Sequence, residues 1–216
     1  MHWLLKENGP KKLRINKKKF IYLISPNKIE DTFYNDLIRI LRLNKTSFFQ
    51  LRLKRTSFKN KILIGKKIKK ICKKYKTKFL INDDVKLTKK LNADGCHLGQ
   101  NDMKLIKARK ILKNKIIGVT CHNSIKLAKK AMSGKADYLA FGAFNISNTK
   151  RTKHKANLTL LKKIKKITKT PIVVIGGINS KNYKKLLLNK ANFLAISGYI
   201  WKNKKLNPIE AIRYLK

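Results

Sequence analysis

KILIGKKIKKICKKYKTKFLIN, residues 61–82, sets two apolar patterns side by side. Over residues 61–76, Ile64, Ile68, Ile71 and Tyr75 recur every three or four positions while lysines fill the remainder, the spacing of a helix with one buried face. After Thr77 the pattern changes. KFLIN (78–82) is short and almost continuously apolar, as suits a strand covered on both sides.

The same alternation extends in both directions. Strand-like segments stand at FIYLIS (20–25), FFQLRL (48–53), GCHLG (95–99), IIGVT (116–120), DYLAFG (137–142), PIVVIG (171–176) and FLAIS (193–197). Lysine-clad helices are expected at 30–43, 103–112, 124–133, 180–190 and 208–215, and Leu160, Ile164 and Ile167 repeat the helical spacing. Strands alternating with helices imply parallel strands joined by crossover helices. Eight such units predict an α/β fold, a single (β/α)8 TIM barrel over 19–216 after a basic N-terminal extension at 1–18, although about 250 residues is the more usual size. A doubly wound open sheet is the rival. No GxGxxG follows the first strand, which weakens its dinucleotide-binding version.

The 216 residues carry 55 basic and 10 acidic side chains, a formal charge of +45. A nucleic-acid surface is the obvious reading, but the basic residues comprise eight arginines and forty-seven lysines spread along the whole chain. Base readout favours Arg, whose planar fork bonds two acceptors at once, so a solvated lysine coat is expected and no specific nucleic acid. Cys72, Cys96 and Cys121 form no CxxC pair and are read as reduced thiols. The start, MHWLLKENGP, is too little apolar for a signal peptide, and no run approaches the ~20 residues of a membrane span. The expectation is a soluble, cytoplasmic protein with no membrane partner; a homo-oligomer is left open.

Four of the ten acids, Asp83, Asp84, Asp94 and Asp102, lie within residues 79–102. In a barrel, chemistry gathers where strands end and the following loops begin. Arg52 and Lys54 fall at the end of the second strand, Asn82 and Asp83 at the third, Asp102 just past the fourth and Thr120 at the fifth. Lys150 lies in the long loop after the sixth, Gly176 and Gly177 follow the seventh, and Ser197 closes the eighth. Asp83 and Asp102 are hard oxygen donors of the kind that hold Mg2+ with help from water and phosphate oxygens. With Arg52, Lys54, Lys150 and Asn82 they resemble a cradle for a metal-bridged diphosphate, where charge building on a departing pyrophosphate is neutralised. Each aspartate has a second reading as a helix cap, and each glycine as a tight turn. Asp84 is read as belonging to a first helical turn and Asp94 to a loop or the start of a strand. His97 and His122 are read as packed or supporting residues.

QLRLK (50–54), INDD (81–84), DGCHLGQND (94–102), GVTCHN (118–123), FGAF and NTK (within 141–150) and VIGGI (174–178) together resemble, in order, the signatures of the thiamine-phosphate synthase family over about residues 20–200. The resemblance implies a transferase that condenses 4-amino-2-methyl-5-(diphosphomethyl)pyrimidine with a thiazole phosphate, giving thiamine phosphate and pyrophosphate. The implied partners are small phosphorylated molecules and the implied cofactor is Mg2+, on Asp83 and Asp102. Arg52, Lys54, Asn82 and Lys150 would serve the pyrimidine diphosphate, with Gln50 approaching the ring, and Thr120 would be a substrate-binding residue that keeps the hydroxyl of the family's serine; Arg52, Lys54 and Lys150 would be catalytic. Ser147, Thr149, Gly177, Ile196 and Ser197 would take the thiazole phosphate. The chain departs from the family pattern at Leu53, where Glu is usual, at the Thr120–Cys121 pair, at Ser147 in a loop without the common proline, and at GYIW (198–201). Strand alternation would turn Leu53 away from Arg52 and Lys54. A thiazole tautomerase on the same fold, with His122 as proton shuttle, is the nearest alternative, and a basic nucleic-acid-associated inactive barrel the more distant one.

Overall fold

The computed structural model describes residue 13, residues 16–146 and residues 153–216. Eight strands, β1 (Ile21–Ile24), β2 (Thr46–Leu51), β3 (Lys78–Asn82), β4 (Gly95–Leu98), β5 (Ile116–His122), β6 (Tyr138–Gly142), β7 (Ile172–Ile175) and β8 (Phe193–Ile196), pair in parallel and in chain order. Because β1 also pairs with β8, Tyr22 opposite Ala195, the sheet closes into a barrel and the open-sheet alternative is excluded. The helices are α1 (Thr32–Arg42), α2 (Phe58–Lys74), α3 (Val85–Lys90), α4 (Leu105–Leu112), α5 (Ile125–Ser133), α6 (Leu158–Ile167), α7 (Tyr183–Leu188), α8 (Gly198–Trp201) and α9 (Pro208–Arg213).

Strand side chains point alternately outward and inward, and both sides are buried. Ile21, Leu23, Phe49, Phe79, Ile81 and Leu194 pack outward under the helices with Leu37, Ile40, Ile68 and Ile164. Tyr22, Phe48, Leu80, Tyr138, Val173 and Phe193 fill the barrel, joined by Leu13 from the basic extension. Burying apolar surface on both sides of each strand stabilises by about 25 cal/mol per Å2, which explains why the strands read as unbroken apolar runs.

Three strand starts share one device. Asp94, Asp137 and Asn192 each follow an alanine and accept from the backbone N–H near the start of the preceding strand: Phe79 at 2.9 Å, Ile117 at 2.7 Å and Ile172 at 2.8 Å. Asp94 is thus a strand-start residue, as read, and Asp137 is also paired with Arg109 at 2.6 Å. These groups pin the end of the barrel remote from the chemistry.

Some boundaries differ from the pattern reading. The second strand ends at Leu51, because the Arg52 N–H bonds Ser25 Oγ at 2.9 Å instead of a neighbouring strand. The fifth continues to His122, past a register shift opposite β6. GYIW forms the short helix α8, whose Trp201 Nε1 donates to the Ile24 carbonyl at 2.7 Å. Leu53 is buried in the outer core, turned away from the mouth as strand alternation predicted.

Candidate active site

The strand C-termini and the loops after them enclose a cavity of about 520 Å3, within the range of small-molecule sites. Gln50, Arg52, Lys54, Asn82, Asp83 and Asp102 all line it. Thr120, Gly177, Ile196 and Ser197 line it too. Residues from six different strand ends therefore meet at one mouth. Ser147, Thr149 and Lys150 lie outside the described residues.

The clustered acids divide their work. Asp84 is the N-cap of α3 and accepts from Leu87 N at 2.8 Å, so the capping role belongs to it and Asp83 is left for other work. Asp83 has a left-handed backbone, φ +64°, a conformation that aspartate tolerates better than most side chains. Its N–H donates to the His97 carbonyl at 2.8 Å, tying the end of β3 to β4. Asp102 lies ahead of α4 and does not cap it; its Oδ2 accepts from Gly99 N at 2.7 Å. The Asp83 and Asp102 carboxyls are close enough to interact. Burial first, and the neighbouring Asp102 second, push Asp83 up to about 6, against a smaller opposing pull from Lys54.

Two neighbouring carboxyls are a natural pair for a divalent cation, which would offset their mutual repulsion. Among the described residues no three His, Cys, Asp or Glu side chains converge as a metal cluster. Two adjacent carboxylates suit Mg2+, which binds through one or two carboxylates and completes its shell with water and phosphate oxygens.

The cationic wall stands beside this pair. Ser25, 2% exposed, accepts from Arg52 N, and the Arg52 guanidinium reaches Asn27 Oδ1 at 3.0 Å, so Arg52 is held at both ends. Lys54 is exposed at the rim, and Asn82 lies at the end of β3. Across the mouth, Gly176 and Gly177 have φ of +107° and +56°. A Cβ on Gly177 would stand 2.3 Å from the Ile146 carbonyl, so the turn needs glycine for conformation and for space alike. Ile196 buries its side chain in the outer core and offers the cavity its main chain.

The floor of the cavity is polar, which the sequence reading did not foresee. Gln50 Nε2 donates to Tyr22 OH at 2.6 Å, and Tyr22 OH meets Tyr138 OH at 2.8 Å. Tyr138 OH meets His97 Nδ1 at 2.9 Å, and His97 Nε2 meets Thr120 Oγ1 at 2.8 Å. Gly118 makes room for this arrangement, since a Cβ there would fall 1.8 Å from the Tyr138 ring. Tyr22 and Tyr138 sat in apolar runs and drew no functional reading, although phenols at inward strand positions were the available signal. His97, read as a supporting residue, lines the cavity. His122 and His154 also line it, with rings stacked at 4.1 Å. Cys121 points outward into the core, where burial pushes its thiol up to about 12, which removes it as a nucleophile.

A family model described as thiamine monophosphate synthase matches residues 21–200. The chain is 72% identical over 207 residues to the thiamine-phosphate synthase of Pelagibacter ubique, covering 95% of this chain and all of that one. It is 37% identical over 196 residues to the thiamine-phosphate synthase of Erythrobacter litoralis, covering 88% of this chain and 92% of that one. Among solved structures, the thiamine phosphate pyrophosphorylase of Pyrococcus furiosus superposes with a TM-score of 0.81 at 27% identity, over 92% of this chain and 94% of that one.

Proposed function

The chain belongs to the thiamine monophosphate synthase family and carries thiamine-phosphate synthase activity; we propose that the cavity described above is where its two phosphorylated substrates are joined. The observation that carries this assignment is the meeting of the Asp83 and Asp102 carboxyls at a mouth shared with Arg52, Lys54 and Asn82.

Gln50 faces the pyrimidine ring, while Arg52, Lys54 and Asn82 surround its diphosphate. Asp83 and Asp102 would hold Mg2+, which when bound would offset the negative charge that grows on the departing diphosphate. Arg52, fixed by Ser25 and Asn27, opposes the same charge from the protein side at no reorganisation cost. Lys150, and Ser147 and Thr149 beside it, complete the diphosphate and thiazole-phosphate ends. Glycine amides at Gly177 and the main chain at Ile196–Ser197 face the second phosphate, in keeping with phosphate sites after strands seven and eight of such barrels. The C–O bond breaks with its electron pair leaving on pyrophosphate, and the ring nitrogen of the thiazole then bonds the resulting pyrimidine methylene cation.

No helix among the described residues is long and apolar enough to cross a membrane. A cytoplasmic location fits the phosphorylated substrates and three buried thiols. A tautomerase would have little use for Arg52, Lys54, Asn82 and both aspartates together, so the synthase reading is favoured.

Incubating the protein with both precursors, with and without Mg2+, and following pyrophosphate release tests the assignment. Metal-dependent release that needs both compounds is expected. Isomerisation of the thiazole phosphate alone, with no pyrophosphate formed, would overturn it.

A further inference from the structure

The five groups on the cavity floor form a continuous chain whose two ends, Gln50 and Thr120, both line the cavity. Its members are spread over β1, β2, β4, β5 and β6, so the relay spans the barrel interior.

The direction of each bond follows from the first. An amide NH2 can only donate, so Tyr22 oxygen accepts from Gln50. Tyr22 is 1% exposed, and its hydroxyl meets no polar side chain among the described residues other than Gln50 and Tyr138. A buried O–H that does not donate costs about 1–3 kcal/mol, so its proton goes to Tyr138 oxygen. Tyr138, fully buried, must in turn donate to His97 Nδ1. With Nδ1 accepting, a neutral His97 carries its proton on Nε2 and donates it to Thr120 Oγ1. The Thr120 hydroxyl proton is then directed onward, away from the histidine. Burial raises both phenols well above the ordinary tyrosine value, so neither breaks the chain by ionising.

We propose that Tyr22 and Tyr138 are specificity-determining positioning residues: through this one-way relay they lock the Gln50 amide with its carbonyl oxygen toward the substrate ring. This deepens the synthase reading and rests on it. A fixed acceptor beside the ring selects a pyrimidine bearing a donating amino group and rejects the deaminated analogue, whose 4-oxo oxygen would face the carbonyl oxygen of a Gln50 side chain that is only 3% exposed. A site built around a substrate N–H discriminates against analogues lacking it by a factor of about a hundred or more. Without the relay the amide is free to turn over and present its NH2 instead.

Two measurements test this. The first needs no activity: 15N-labelled histidine NMR, with the His97 signals assigned by their loss in His97→Gln. The expected spectrum has His97 protonated on Nε2 and bare on Nδ1, with that preference lost in Tyr138→Phe. A wild-type His97 protonated on Nδ1 would mean that the relay runs the other way, and would overturn the proposal. The second compares kcat/KM for the 4-amino and 4-oxo pyrimidine diphosphates. Tyr22→Phe should narrow the wild-type ratio by about tenfold or more, chiefly through KM for the pyrimidine, while KM for the thiazole phosphate stays put. An unchanged ratio contradicts the specificity role. Release of pyrophosphate from neither compound by the wild type would contradict the synthase reading alone, and the NMR result would then decide the relay.

Discussion

The carboxyls of Asp83 and Asp102 are neighbours at the loops after β3 and β4, close enough that Asp102 disfavours the charge on Asp83. Holding Asp83 up to about 6 has a consequence for stability. In the unfolded chain an aspartate titrates near about 3.9, so between about 4 and 6 the native state binds more protons than the unfolded state. Native stability from this group is therefore present at low pH and lost as pH rises through that window.

Asp83→Asn removes the buried charge and keeps a residue type that tolerates a left-handed backbone. The metal-free variant should melt above the wild type at pH 8, with the gap closing toward pH 4 and shrinking when Mg2+ is added to the wild type. Its turnover should fall by about a hundredfold or more. Thermal melts across pH, paired with pyrophosphate release, check both halves; equal melting at every pH would remove the proposed repulsion.

Arg109 and Asp137 form a mostly buried pair at 2.6 Å, with Arg109 also donating to the carbonyls of Lys113, Lys115 and Lys135. Arg109→Ala leaves Asp137 charged and unpaired and should cost about 3 kcal/mol. Asp137→Asn keeps an acceptor for Ile117 N–H and should cost less. Urea unfolding of the two variants checks the order.

Helices α2 and α5 end in turns closed by lysine where glycine is the usual choice: Lys76 at φ +52° and Lys135 at φ +61°. In each, the residue after the lysine bonds back into the helix, Thr77 N to Cys72 O and Ala136 N to Ala131 O. A left-handed conformation costs a side-chain-bearing residue about 1–2 kcal/mol, partly offset by glycine's greater freedom when unfolded. Lys76→Gly and Lys135→Gly should each stabilise by up to about 1 kcal/mol, read from the denaturation midpoint.

With a formal charge of +45, the folded chain repels itself. Moderate salt should raise its melting temperature, by about 3 °C for each ~1 kcal/mol that screening recovers. A melting point indifferent to salt would show that the lysines are too dispersed to matter.

The barrel was legible because each strand is apolar on both sides, so KFLIN announced itself without any partner in view; its observed limits, Lys78–Asn82, are those read from the pattern. The second strand was read too far because FFQLRL continues the alternation past Leu51, and only the Ser25 contact ends it there. Asp83 and Asp102 could be singled out because negative charge is scarce in this chain. The relay was not legible. Whether Tyr22 meets Tyr138 is decided by closure of the barrel, which brings β1 and β6 within reach across its interior, and no spacing along the chain encodes that meeting. That Asp84 is the cap and Asp83 is free of that role turned on one residue of backbone, finer than periodicity resolves.

Calorimetric titration of Mg2+ into the protein saturated with pyrophosphate tests the shared metal site most directly. One ion per chain is expected, with Asp83→Asn and Asp102→Asn each weakening it by about tenfold or more and the double variant little worse than the singles, because both carboxylates serve one cation. Unchanged affinity in either single variant, or two ions per chain of which each variant loses one and keeps the other, would contradict it.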